Sequence, residues 1–163
     1  MTRTQKILHG ILALAALLRI AGIGHGLPLF VVDDEPPFVL AALKMLELKT
    51  LLPAAHTEFQ DFLYYPPYLA YLLLPFFAFV SGFIYLKVGS VDALKIVAAS
   101  DPSVFFLTAR LVTVALGVLS VYFIYRFVLN MWKEDTPAMW AAFFAATSLL
   151  AVSLSSVARH WTA

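Results

Sequence analysis

The sequence predicts an all-α, polytopic transmembrane helix bundle, and three observations carry that prediction. Hydrophobic residues make up 62% of the chain and charged residues 13%, with a mean hydropathy of +0.87. Soluble domains hold about 25% charged and about 45–50% apolar residues. The apolar residues gather into runs close to the roughly 20 residues a helix needs to cross hydrocarbon, and the 163 residues hold three to four such runs. The charges lie mostly at run ends and in one loop. A net charge of +1 with no basic run gives no support for nucleic-acid binding. With no cysteine, disulfides and thiolate metal or redox sites are excluded.

The first apolar run, about 7–23, follows the basic start MTRTQK. It is longer than the core of a signal peptide, Arg19 interrupts it, and no small-residue cleavage site follows. We read it as an uncleaved first transmembrane helix, with Arg3 and Lys6 holding its start in the cytoplasm. The next stretch, about 24–65, then lies on the outer face. It carries six of the ten acidic residues, Asp33, Asp34, Glu35, Glu47, Glu58 and Asp61, among apolar neighbours. Carboxylates kept close to hydrocarbon are expensive and point to chemistry.

Within that loop, Asp34-Glu35-Pro36-Pro37 reads as a helix start, with Asp34 at the N-cap and proline in the first turn. On a helical wheel Lys44 and Glu47 form a narrow polar stripe on an otherwise apolar helix. That pattern is an amphipathic juxtamembrane helix, too short to span and stopped by Pro53. An aromatic-rich apolar run follows at about 66–86, then a polar linker from Gly89 to Asp101. A long apolar helix covers about 102–132, with Arg110 near its start and Arg126 near its end. A last apolar run covers about 138–157. No internal repeat is present.

Two topologies fit. If every run crosses, Lys87 and Lys95 lie inside; if 66–86 dips in and returns, Arg126 and Lys133 are the cytoplasmic pair. The positive-inside count barely separates them. The second is preferred, because it puts Arg110 on the same outer side as Asp34.

Asp34 and Glu35 are the sharpest candidates for catalysis. A carboxylate on a helix N-terminus stays ionised and can accept a proton from a hydroxyl, and capping the helix does not exclude that role. Arg110 and Arg159 each sit at the end of an apolar run, where snorkelling to headgroups is the default explanation. The alternative is phosphate recognition, which suits the forked donors of a guanidinium. His56, Glu58, Asp61 and Tyr65 are further loop candidates. No pair among His25, His56 and His160 has a spacing that puts two on one helical face. The aromatics of the loop read mostly as an interfacial belt.

Taken in order, these pieces resemble the N-terminal part of the GT-C membrane glycosyltransferases. The ordered set is an N-terminal helix, an Asp-Glu motif, an amphipathic helix, Tyr-Pro-Pro-Tyr opening an apolar helix, Ala109-Arg110-Leu111 opening the next, and Arg159 after the last run. Similar families include the protein O-mannosyltransferases and the aminoarabinose transferase of lipid A. The resemblance implies that Asp34 is the catalytic base, Glu35 its companion acid, and Arg110 functionally important. It implies a polyprenyl-phosphate-linked sugar donor and a protein, lipid or glycan acceptor. The expected place is a bacterial or archaeal cytoplasmic membrane with the active site on its outer face. It also implies a further acidic residue just beyond Ala163, so the chain reads as the N-terminal part of a larger enzyme. A divalent cation shared by Asp34 and that downstream acid is an option the resemblance leaves open. Tyr64-Tyr65 departs from relatives that carry an acid-base pair before the proline segment, and Asp33 leaves open which aspartate takes the catalytic position. A small transporter or channel subunit, and a non-catalytic membrane scaffold, are the readings from other classes. The gathering of charges at run ends argues against the transporter.

Overall fold

The computed structural model describes residues 2–27, 35–60 and 66–156. Among these the chain is all-helical, with no strand: α1 Arg3–Ile20, α2 Pro36–Leu48, α3 Tyr68–Val88, α4 Val91–Ser100, α5 Ser103–Trp132, α6 Asp135–Thr147 and α7 Leu149–Ser155, with two short 3-10 turns at Pro53–Ala55 and Thr57–Phe59. Two helices, α3 and α5, are long and apolar enough to cross a membrane, and a third span exists if the bent pair α6–α7 counts as one. The helix expected to be the first span, α1, is not among them. Its 18 residues include Arg3, Lys6 and Arg19, too many charges for a continuous apolar segment.

The described helices belong to two compact units, one built from residues up to Ile23 and from Arg110 onward, the other from Gly24 to Ala109. In the first unit α1 begins with a capping box. Thr2 Oγ1 accepts from the Gln5 N–H at 3.3 Å, and the Thr2 N–H donates to Gln5 Oε1 at 2.9 Å. The helix closes at Ile20, and Gly22 adopts φ +85° in the turn that follows, a conformation open to glycine without penalty. The core of this unit joins Leu8 and Ala15 of α1, Val121 and Tyr125 of α5, and Ala138, Ala142 and Ala146 of α6. The three alanines recur every four residues, so one face of α6 is smooth enough for close helix approach without bulky interdigitation.

The sequence reads 138–157 as one helix; the structure breaks it at Ser148, and the axes of α6 and α7 differ by 56°. Two local causes are visible. Ser148 leaves the helical region (ψ 116°), and its Oγ accepts from the Ala151 N–H, capping α7. The carbonyls of Ala145 and Ala146, which would accept from residues 149 and 150 in an unbroken helix, accept instead from Arg19.

In the second unit the expected polar stripe of α2 is present. Lys44 Nζ lies 3.0 Å from Glu47 Oε2, and Phe38, Val39, Ala41, Ala42 and Met45 are buried on the other face. The helix starts one residue later than expected. Glu35, not Asp34, holds the N-cap position, without a side-chain cap bond, ahead of Pro36 and Pro37. It also ends before Pro53, at Leu48, where Lys49 takes a left-handed conformation (φ 53°) and its N–H closes onto Leu46 and Met45 carbonyls. Against α2 lies α3, whose Leu69, Ala70, Leu73 and Phe77 are buried. Phe77 meets Phe105, at the start of α5, edge to face at 5.3 Å between ring centroids. The expected polar linker 89–101 is mostly helix: Gly89 (φ 75°) ends α3, Ser90 Oγ accepts from the Ala93 N–H, and Asp92 favours the first turn of α4.

Candidate functional site

Of the residues the sequence singles out, Glu35 and Arg110 are the two ionisable groups that are buried among the described residues. Glu35 is 2% exposed. Its backbone carbonyl accepts from the Phe38 and Val39 N–H groups, so the first turn of α2 is wound onto it. Two prolines at the first helical positions fix the entry of the helix without losing any backbone donor that would have been used.

Arg110 is 1% exposed and stands about two turns into α5. Its Nη1 donates to the carbonyl of Ile23 at 2.6 Å, in the turn that leaves α1. Arg110 is therefore not snorkelling to solvent: its guanidinium is spent at least partly inside the first unit. The residue below it is tied in too. Thr113 shares its hydroxyl hydrogen between the Arg110 carbonyl at 2.9 Å and the Ser155 carbonyl at 3.2 Å. Glu35 belongs to the second unit and Arg110 to the first.

The remaining loop candidates divide. His56 Nε2 lies 3.1 Å from Thr50 Oγ1, and the ring faces Phe59 edge-on at 6.3 Å. Glu58 is exposed, and its Oε2 accepts from the Thr57 hydroxyl at 3.5 Å. Among the described residues no group of three His, Asp or Glu side chains is placed to hold a metal. Asp34, Asp61, Tyr65 and Arg159 lie outside the described residues.

Sequence reasoning passed over Arg19, treating it as an interruption of an apolar run. It is 1% exposed, in the last turn of α1. Nη1 donates to Ala15 O at 3.1 Å and to Ala146 O at 3.2 Å, and Nη2 to Ala145 O at 3.4 Å. Nε is buried without a hydrogen-bond partner. On α5, Gly117 makes room for it: a Cβ there would stand 2.8 Å from Arg19 Nε and 2.8 Å from Ser155 Cβ. A glycine in the middle of a 30-residue apolar helix was the available signal.

One further cluster is electrostatically defined. Glu47 on α2 is shared between Lys44 at 3.0 Å and Lys95 of α4 at 3.2 Å. Hydrogen bonding to Lys44, then to Lys95, holds the Glu47 carboxyl below the ordinary glutamate value. No family model, no curated protein and no solved structure matches this chain.

Proposed function

We propose that the chain belongs to a membrane glycosyltransferase that moves a sugar from a polyprenyl-phosphate donor to an acceptor hydroxyl. The observation that carries this is the burial of the two ionisable side chains that the ordered motifs single out and the structure describes, Glu35 at 2% and Arg110 at 1% exposure. Apolar proteins keep ionisable groups inside at a cost that structure alone seldom justifies. In this reading the protein crosses a bacterial or archaeal cytoplasmic membrane several times and works on its outer face.

The chemistry follows residue by residue. Asp34 takes the proton of the acceptor hydroxyl. The freed oxygen pair attacks the anomeric carbon as the bond from that carbon to the phosphate oxygen breaks, so the configuration inverts. Polyprenyl phosphate departs with the electron pair, and the positive charges of Arg110 and Arg159 are assigned to the phosphate as it leaves. Glu35 supports Asp34 as the neighbouring acid.

A transporter or channel subunit is the second reading. The broken pair α6–α7 with the buried Arg19 beside its break favours it, since discontinuous helices often frame transport sites. One experiment separates the two. The full-length protein in nanodiscs is given polyprenyl-phosphate hexose and a panel of hydroxyl acceptors, and the release of polyprenyl phosphate is measured. Release coupled to a product of inverted anomeric configuration supports transfer. Intact donor under every acceptor, together with solute flux in proteoliposomes, overturns it.

A further inference from the structure

The second unit contains a groove of about 620 Å³ lined by α2, α3, α4 and the start of α5. That volume lies within the roughly 300–1,000 Å³ typical of small-molecule sites. Its walls are apolar, with Leu43 and Leu46 of α2, Ala78 of α3, Leu94 and Ala98 of α4, and Phe105 of α5. The α4 helix has no buried residue, even though Val91, Leu94 and Ala98 fall on the one face it turns to the groove. An apolar helix face set against an open apolar space is a face built for something else to cover, because water gains little there.

The rim carries charge of one prevailing sign. Lys44, Lys49 and Lys95 line the groove together with a single carboxylate, Glu47. Glu47 is divided between Lys44 and Lys95, while Lys49 makes no ion pair among the described residues. Three lysines against one glutamate leave two positive charges in excess beside an apolar slot. Lys49 holds its place in a left-handed conformation that glycine would adopt more readily. The α3 wall belongs to a helix apolar enough to cross a membrane, which favours a lipid over a water-borne peptide as the occupant.

We infer that this groove is a binding site for an anionic phospholipid, with one acyl chain between α2, α3 and α4 and the headgroup phosphate at Lys49 and Lys95. Apolar burial supplies the hold, and the lysines supply the preference for negative headgroups. The inference does not rest on glycosyl transfer and would stand without it.

The test uses the full-length protein in detergent after exchange of endogenous lipid. Phosphatidylglycerol and phosphatidylcholine with the same acyl chains are added in equal amounts, and lipid retained per protein is read by native mass spectrometry. Phosphatidylglycerol is expected to be retained about tenfold over phosphatidylcholine. The double variant Lys49→Gln, Lys95→Gln should bring the two lipids close to parity while still retaining lipid. Ala98→Phe, which puts a ring into the slot, should lower the retention of both. Equal retention by the unaltered protein overturns the inference, and so does an unchanged preference in the lysine variant or a polypeptide retained in place of lipid. Both substituted lysines are exposed, so the lysine variant decides the matter even where Ala98→Phe fails to fold.

Discussion

Arg19 Nη1 donates to the carbonyl of Ala146 at 3.2 Å, across 127 positions of sequence, at the point where α6 stops and the chain turns 56° into α7. A cation at the negative end of a helix dipole, hydrogen-bonded to its free carbonyls, does for α6 what a glycine cap does elsewhere. It turns a break in an apolar segment into a satisfied structure. Arg19→Met removes those donors. The partners are neutral carbonyls, so no opposite charge is stranded, but a buried acceptor is left bare. The expected loss is ~2–4 kcal/mol of stability, read as denaturant or thermal unfolding in detergent, with Arg19→Lys intermediate. A loss below about 0.5 kcal/mol would remove Arg19 from the support of the break.

Gly117 is the complement of Arg19 on α5. Because an added Cβ would come within 2.8 Å of both Arg19 Nε and Ser155 Cβ, Gly117→Ala should destabilise by ~1–3 kcal/mol through overpacking, despite the better helix propensity of alanine. Ser155→Gly removes one of the two clashing atoms, so the double variant should be less unstable than the sum of the singles. A double-mutant cycle in detergent measures that coupling; strict additivity would mean that α5 and α7 do not approach as described.

What could be read in advance was what depends on neighbours in sequence. The Lys44–Glu47 stripe, the Pro36-Pro37 helix start and the span of α5 follow from periodicity and punctuation. The length of α3 was close for the same reason. The break at Ser148 was not legible, because its second cause, Arg19, lies far away in the chain. Helix α4 was missed because ten residues with two charges resemble a linker until the Ser90 cap is weighed. Glu35 in place of Asp34 at the N-cap shifts the helix by a single residue, within the ordinary uncertainty of helix boundaries. Glu35 and Arg110 were singled out from local motifs and are buried, whereas the burial of Arg19, taken for an interruption, depends on α6, more than a hundred residues away.

The Glu47 cluster gives a pH dependence with a definite sign. The folded carboxyl is held below its ordinary value by Lys44 and Lys95. The stabilisation is therefore fully present above the ordinary glutamate range and is lost as pH falls through the lowered folded value. Since the pair is well exposed, its contribution is ~0.2–1 kcal/mol. Glu47→Gln should abolish that part of the acid-side decline in unfolding midpoint, and high salt should shrink it. An identical acid limb in the variant would contradict the assignment.

Arg110 has two duties in this account, and they separate by substitution. Its bond to Ile23 O fastens the turn after α1, and its charge is assigned to the departing phosphate. Arg110→Lys retains the charge but loses the fork, and at a bidentate site that exchange is not conservative. Transfer should fall about 10–100-fold, the range for loss of one transition-state donor or less, with only a small shift in the unfolding midpoint. Equal activity of Arg110→Lys and the unaltered protein would reduce Arg110 to a fastening of the turn.

The most direct measurement compares Asp34→Asn with the unaltered full-length protein, in matched nanodiscs, for sugar transfer from polyprenyl-phosphate hexose. Asparagine keeps the shape of the side chain but cannot accept the proton. Transfer is predicted to fall about 10²–10⁴-fold, the usual worth of a general base, while expression, unfolding midpoint and donor retention stay unchanged. Transfer at the unaltered rate by the Asp34→Asn protein would contradict the proposed function.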